Sequence, residues 1–223
     1  MSPKNASRFW LSLAVTATWL ITPSGKADES KTRKIQSLQV SDTSVTEILK
    51  HLGAQLEHGT SSKQIASYEN LFNRTDPNQD GKHSKREYVE QGQYLTPRAR
   101  AGIFQAADEN ADDFVTRDEY VLNRIITDEA KSLIQGMDHS KDGLVDRAEF
   151  VNRTIDQLSD PKLANQVFSA LDTNENGQIT IPEYLQVWGR WARSGQPTAA
   201  TRIIARKEKL KDATSKRQST PPK

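Results

Sequence analysis

The chain of 223 residues has no cysteine. That excludes disulfides, thiolate metal sites, cysteine nucleophiles and an N-terminal lipid-bearing cysteine. Only two methionines occur, Met1 and Met137, so the adaptable methionine-lined surface of promiscuous helix-binding proteins is missing. The four histidines, His51, His58, His83 and His139, are scattered. They form no zinc spacing and no serine–histidine–aspartate arrangement, so no catalytic residue is assigned and no enzymatic activity is expected. The one sustained apolar run, residues 9–21, is 13 long, short of the roughly 20 residues a membrane span needs. No groove-reading motif is present, so no specific nucleic-acid partner is expected.

That run is instead preceded by Lys4 and Arg8 and followed by Gly25-Lys26-Ala27. A positive start, an apolar centre and small residues before a cleavage point make residues 1–27 a secretory signal peptide, with an uncleaved anchor as the alternative. After cleavage no transmembrane span is expected, and the protein is placed outside the cytosol, secreted or periplasmic. Removing Lys4, Arg8 and Lys26 leaves 28 Lys and Arg against 29 Asp and Glu, a net charge of −1. The remainder is uneven, with +6 on residues 195–223 and −7 on residues 28–194. An acidic body of this kind is neutralised by several bound divalent cations.

Four twelve-residue segments give those cations a place. Residues 76–87, 108–119, 138–149 and 172–183 each begin with Asp, end with Glu, and start 32, 30 and 34 residues apart. Each carries oxygen-bearing side chains at its first, third, fifth, ninth and twelfth positions. A calcium ion takes roughly 6 to 8 oxygens at about 2.3 to 2.6 Å, and one short loop supplies them only if alternate residues turn inward and a terminal carboxylate closes the cage. The expected ligands in the first loop are Asp76, Asn78, Asp80, the carbonyl of Lys82, Ser84 and Glu87. In the second they are Asp108, Asn110, Asp112, the carbonyl of Phe114, Thr116 and Glu119. The third offers Asp138, Ser140, Asp142, the carbonyl of Leu144, Asp146 and Glu149. The fourth offers Asp172, Asn174, Asn176, the carbonyl of Gln178, Thr180 and Glu183.

These loops resemble those of the EF-hand calcium-binding family, and with flanking helices the resemblance covers roughly residues 62–193. The first and fourth loops match the full D-x-[DN]-x-[DN]-G-x5-E pattern; the second has Asp113 where glycine is usual, and the third has Ser140 at the third position. Carboxylates at ligand positions number three, three, four and two along the chain, which favours the first and third sites as tightest. Calcium and magnesium are not distinguished at the weaker ones. The eighth position, which pairs loops through a short β-bridge in the family, holds His83, Val115, Val145 and Ile179. A half-exposed His83 opposite Val115 is expected.

The resemblance implies an all-α fold of two paired EF-hand lobes with short β-bridges between loops, plus an extra N-terminal helix. Residues 28–44 are polar and read as a flexible leader. Residues 45–127 form the first pair, with a helix at 45–57 packing on it; residues 128–194 form the second pair, and Thr127-Asp128 is the helix restart between them. Residues 195–223 read as a disordered basic tail, or as an arm that contacts an anionic surface or folds back on the acidic body when the ion sites are empty. Two functions fit. Calcium occupancy controls docking to a protein partner, as in sensors, or calcium is stored or stabilises a structural protein.

Overall fold

The computed structural model describes residues 39–93 and 95–218. The expected signal peptide, residues 1–27, and most of the expected leader lie outside the described residues. What is described of the leader, strands β1 (Gln39–Val40) and β2 (Thr43–Ser44), pairs as a two-residue hairpin. Helix α1 (Val45–His51) follows, started by Ser44, whose side chain accepts the amide of Glu47. It is shorter than the expected 45–57 because Gly53 turns the chain with φ +88, a conformation glycine adopts without steric cost. A 3₁₀ turn, Leu56–His58, completes the segment.

Helix α2 (Ser62–Arg74) opens on a capping box between Ser61 and Gln64 and leads into the first loop, which carries β3 (Lys82–Ser84). Where the resemblance implies a flanking helix after the first loop, a five-residue π-helical turn, Arg86–Glu90, stands instead. The chain then reverses, and Arg100 fixes the reversal by donating to the carbonyls of Val89 at 2.8 Å and Leu95 at 2.6 Å. Helix α3 (Pro97–Ala107) starts with Thr96 as cap and proline in its first turn, where a missing N–H costs nothing. Strand β4 (Phe114–Thr116), helix α4 (Arg117–Met137), strand β5 (Leu144–Asp146) and helix α5 (Arg147–Leu158) come next. Helix α6 (Pro161–Leu171), strand β6 (Gln178–Thr180), helix α7 (Ile181–Arg193) and helix α8 (Ala199–Gln218) complete the fold. The architecture is all-α with short β-bridges, as expected. The bridges are antiparallel, β3 with β4 and β5 with β6, so the loops pair first with second and third with fourth.

Helix α4 runs unbroken through the expected restart at 127/128. Thr127 caps nothing: its hydroxyl bonds back to the carbonyl of Asn123 at 2.8 Å. Asp128 is held by Arg124 one turn earlier at 3.1 Å. The exiting helix of the second loop and the entering helix of the third are thus one rod, and the larger of two apolar clusters is built along it. Val121, Leu122, Ile125, Ile126 and Ile134 of α4 join Phe150, Phe168, Leu171, Tyr184 and Trp188 in one buried cluster. Helix α1 adds Val45, Ile48 and Leu49 to that cluster and packs on α7 and α5, the second-pair helices, not on the first pair as expected. A smaller cluster, Val89, Phe104, Ala107 and Val115, serves the first pair.

The basic tail is helical, against the reading of a disordered terminus, and it folds back on the body. Ala199, Arg202 and Ile203 are buried, and α8 lies along α4 and the 3₁₀ turn. Arg202 makes this docking specific: its Nε and Nη2 donate to Glu57 at 3.0 and 2.6 Å, and its Nη1 donates to the carbonyl of Ala192 at 2.9 Å. Arg206 adds two bonds to the carbonyl of Thr60, at 2.9 and 2.7 Å. Among the described residues no helix is long and apolar enough to cross a membrane.

Candidate cation-binding loops

The four loops share one backbone scheme. The residue at the fourth position is left-handed in each (Gln79 φ 58, Ala111 φ 56, Lys141 φ 61, Glu175 φ 58), and so is the sixth (Gly81 φ 80, Asp113 φ 65, Gly143 φ 86, Gly177 φ 83). These two reversals fold the loop back on its first aspartate. The amides of Gly81, Asp113, Gly143 and Gly177 donate to Oδ2 of Asp76, Asp108, Asp138 and Asp172 at 3.0, 3.1, 3.0 and 2.9 Å. The side chains of Asp80, Asp112, Asp142 and Asn176 accept the amide two residues on, at 2.9 to 3.0 Å. Asn78, Asn110 and Asn174 do the same one step earlier, at 3.0 to 3.1 Å. Ser140 is too short for that bond and donates instead to Asp138 at 3.2 Å.

The closing glutamates are positioned by capping boxes. The amides of Ser84, Thr116, Asp146 and Thr180 donate to Oε2 of Glu87, Glu119, Glu149 and Glu183 at 2.9, 2.8, 3.2 and 3.1 Å. The other oxygen, Oε1, reaches across the loop in three of the four: to the amide of Glu109 in the second, to those of His139 and Ser140 in the third, and to Asn174 and Thr173 in the fourth. The amides of Ser140 and Asp146 hold the Glu149 carboxyl below its usual range. Glu183 is also lowered, its bonds to Thr180, Asn174 and Thr173 outweighing the desolvation that pushes it up. Both carboxylates are thereby kept ionised, the form a hard cation requires.

In the first loop Oδ1 of Asp76 is buried and has no hydrogen-bond partner, an unsatisfied carboxylate oxygen of the kind a cation satisfies. Among the described residues no three His, Asp or Glu side chains gather closely enough to hold a metal by themselves. In the loops the carboxylates at ligand positions are each engaged by loop amides, as for Asp76, Asp80 and Glu87 in the first and Asp138, Asp142 and Glu149 in the third.

His83 is fully buried rather than half-exposed. Its ring stacks on Phe72 with centroids 4.1 Å apart, and Tyr120 and Tyr88 approach at 5.6 and 5.5 Å. Across the bridge it faces Val115. Its Nε2 lies 3.3 Å from the carbonyl of Phe72 and 3.1 Å from Oγ1 of Thr75, while Nδ1 is buried without a partner, an arrangement that suits a neutral ring protonated at Nε2. Burial depresses its pKa despite the Phe72 carbonyl and nearby carboxylates. A histidine whose folded pKa lies below its unfolded value, about 6.5, lends stability that is present above that value and lost as the pH falls through it. The expected result is a decline below about pH 6.5 of at most about 1.4 kcal/mol per pH unit from this residue. Urea unfolding of wild type and His83→Phe across pH 7.5 to 5 checks it: the variant loses that part of the slope.

Asp113 sits at φ 65, which costs a residue with a Cβ on the order of 1 kcal/mol relative to glycine. Asp113→Gly is expected to raise stability by about that amount, read as a shift in the urea midpoint. It should also tighten calcium binding at the second loop if strain outweighs the lost charge.

Glu109 and Asp118, at the second and eleventh positions of the second loop, were absent from the expected site. Their side chains turn away from the ligand positions and meet α8: Glu109 accepts the amide of Ala199 at 2.8 Å, and Lys207 lies 3.8 Å from Asp118. No sequence signal marks them, since those positions carry no ligand in the loop pattern.

No curated protein matches the chain. A protein-family model does: residues 164–188, comprising most of α6, the fourth loop and the start of α7, are similar to the EF hand, a calcium-binding motif.

Proposed function

We propose that this chain is a calcium-binding protein acting outside the cytosol, that all four loops are its ion sites, and that ion occupancy controls an interaction. The observation that carries this is the shared scheme of the loops. The first three repeat the two left-handed turns, the amide bond to the first aspartate and the capped closing glutamate of the fourth, which is the segment similar to the EF hand. A bound calcium would supply positive charge to a body of net −7, and the ligands named from the sequence would hold it. The role is one of binding, not catalysis. Location rests on residues 1–27 as a cleaved signal peptide, and an N-terminus of Asp28 on the exported protein tests it.

A second reading, a calcium-stabilised or calcium-storing protein without a switch, is favoured by one observation. Leu95 and Ile204 are the large hydrophobic side chains found exposed among the described residues, so the described residues present no open apolar groove. An apolar-surface dye, added with and without calcium, separates the two. A large calcium-dependent rise supports the controlled interaction, while a higher melting temperature with no new dye signal supports the second reading. Exposed Lys209 and Lys211 on α8 would then be where an anionic surface is met.

A further inference from the structure

Helix α8 is tied to the second loop at two points. Its first amide, that of Ala199, donates to Oε2 of Glu109 at 2.8 Å, which places a carboxylate at the positive end of the helix dipole. Two turns on, Lys207 bridges Glu69 of α2 at 2.6 Å and Asp118 of the second loop at 3.8 Å. The first tie leads directly into the loop, because the backbone amide of Glu109 donates to Oε1 of the closing Glu119 at 3.1 Å. Two hydrogen bonds therefore connect the glutamate that closes the loop to the start of α8.

We infer that the second loop and α8 form a coupled pair, in which a cation in the loop loosens the N-terminal turn of α8. The inference rests on the reading of the second loop as an ion site. Two effects act in the same direction. A cation drawing both oxygens of Glu119 takes Oε1 away from the amide of Glu109 and frees the residue that caps α8. Its double positive charge also competes for Glu109 and Asp118 with the helix N-terminus and with the ammonium of Lys207. By linkage, docked α8 lowers the affinity of this loop by the factor that occupancy lowers docking. Release of α8 would uncover Glu57 and the apolar strip of α4 beneath Ile203, which supplies the calcium-dependent surface that the closed core lacks.

Amide hydrogen exchange across residues 199–203 of the full chain, in chelator and in calcium, tests this beside calorimetric ion counts. Calcium is expected to speed exchange there on the order of 5-fold or more. Glu119→Gln should lose one ion and the exchange response together, whereas Glu183→Gln should lose one ion and keep the response. Glu109→Ala should exchange in chelator at close to the loaded wild-type rate. A wild-type α8 that ignores calcium, although Glu119→Gln lowers the ion count, overturns the coupling alone. A response that survives in Glu119→Gln does the same. An ion count left unchanged by Glu119→Gln removes the second loop as an ion site, and the inference falls with that reading.

Discussion

Calcium at about one hundred times the dissociation constant of the proposed sites is expected to stabilise this chain by about 2.7 kcal/mol for each loop it occupies. With four loops filled the sum is on the order of 10 kcal/mol, comparable to the whole stability of an ordinary domain. For a chain of this size that corresponds to a rise in melting temperature of some 20 °C or more, at roughly 2 to 4 °C per kcal/mol. The effect is large because each occupied loop adds its own binding free energy to the folded state alone. The first loop holds three carboxylates at ligand positions and the third holds four, and Oδ1 of Asp76 is buried without a partner. Thermal scans in chelator and in millimolar calcium measure it. A shift of a degree or less would mean that the loops are turns stabilised by their own hydrogen bonds.

The second large effect belongs to the Arg202–Glu57 pair, which pins α8 to the 3₁₀ turn. Burial pushes the Glu57 carboxyl up, but the hydrogen bonds and charge of Arg202 outweigh it and hold the group below its usual range. The guanidinium is 3% exposed and the carboxylate 9%, so either group is left largely buried without its partner if the other is removed. Glu57→Ala is expected to cost about 3 to 5 kcal/mol, most of it the penalty of a stranded buried charge. The double variant Glu57→Leu with Arg202→Met should recover much of that loss, since an apolar pair of similar volume needs no desolvation. Urea unfolding of the two variants in calcium decides. A single-variant loss under about 1 kcal/mol would place this pair with exposed ion pairs and α8 with loosely held tails.

Much of the loop architecture was legible in the sequence because it is local. A glycine or Asp113 at the sixth position, a hydroxyl or carboxylate at the ninth and a glutamate at the twelfth act within one loop, so the reversals and capping boxes could be expected from spacing alone. The pairing of loops was implied by the resemblance and the even number of loops, and Val145 and Ile179 face each other across the second bridge. What could not be read depends on partners distant in the chain. Thr127-Asp128 carries the residue types of a helix start, yet Asp128 is engaged by Arg124 of the preceding turn and by Tyr68 of α2 at 2.9 Å, and the helix continues. The composition of 199–218 is that of a solvated tail; its order depends on Arg202 meeting Glu57, 145 residues earlier. His83 has the polarity of an exposed residue, and only the stacking of Phe72 and Tyr120 shows that its place is inside. The short turn after the first loop likewise depends on Arg100 reaching back from α3.

The central claim, four cation sites in four like loops, is tested most directly by calorimetric titration of the chain with calcium, alone and with each closing glutamate changed to glutamine in turn. Four ions are expected for the wild type and one fewer for each of Glu87→Gln, Glu119→Gln, Glu149→Gln and Glu183→Gln. A wild-type count of one, sensitive to Glu183→Gln and indifferent to the other three, would confine ion binding to the fourth loop and contradict the account.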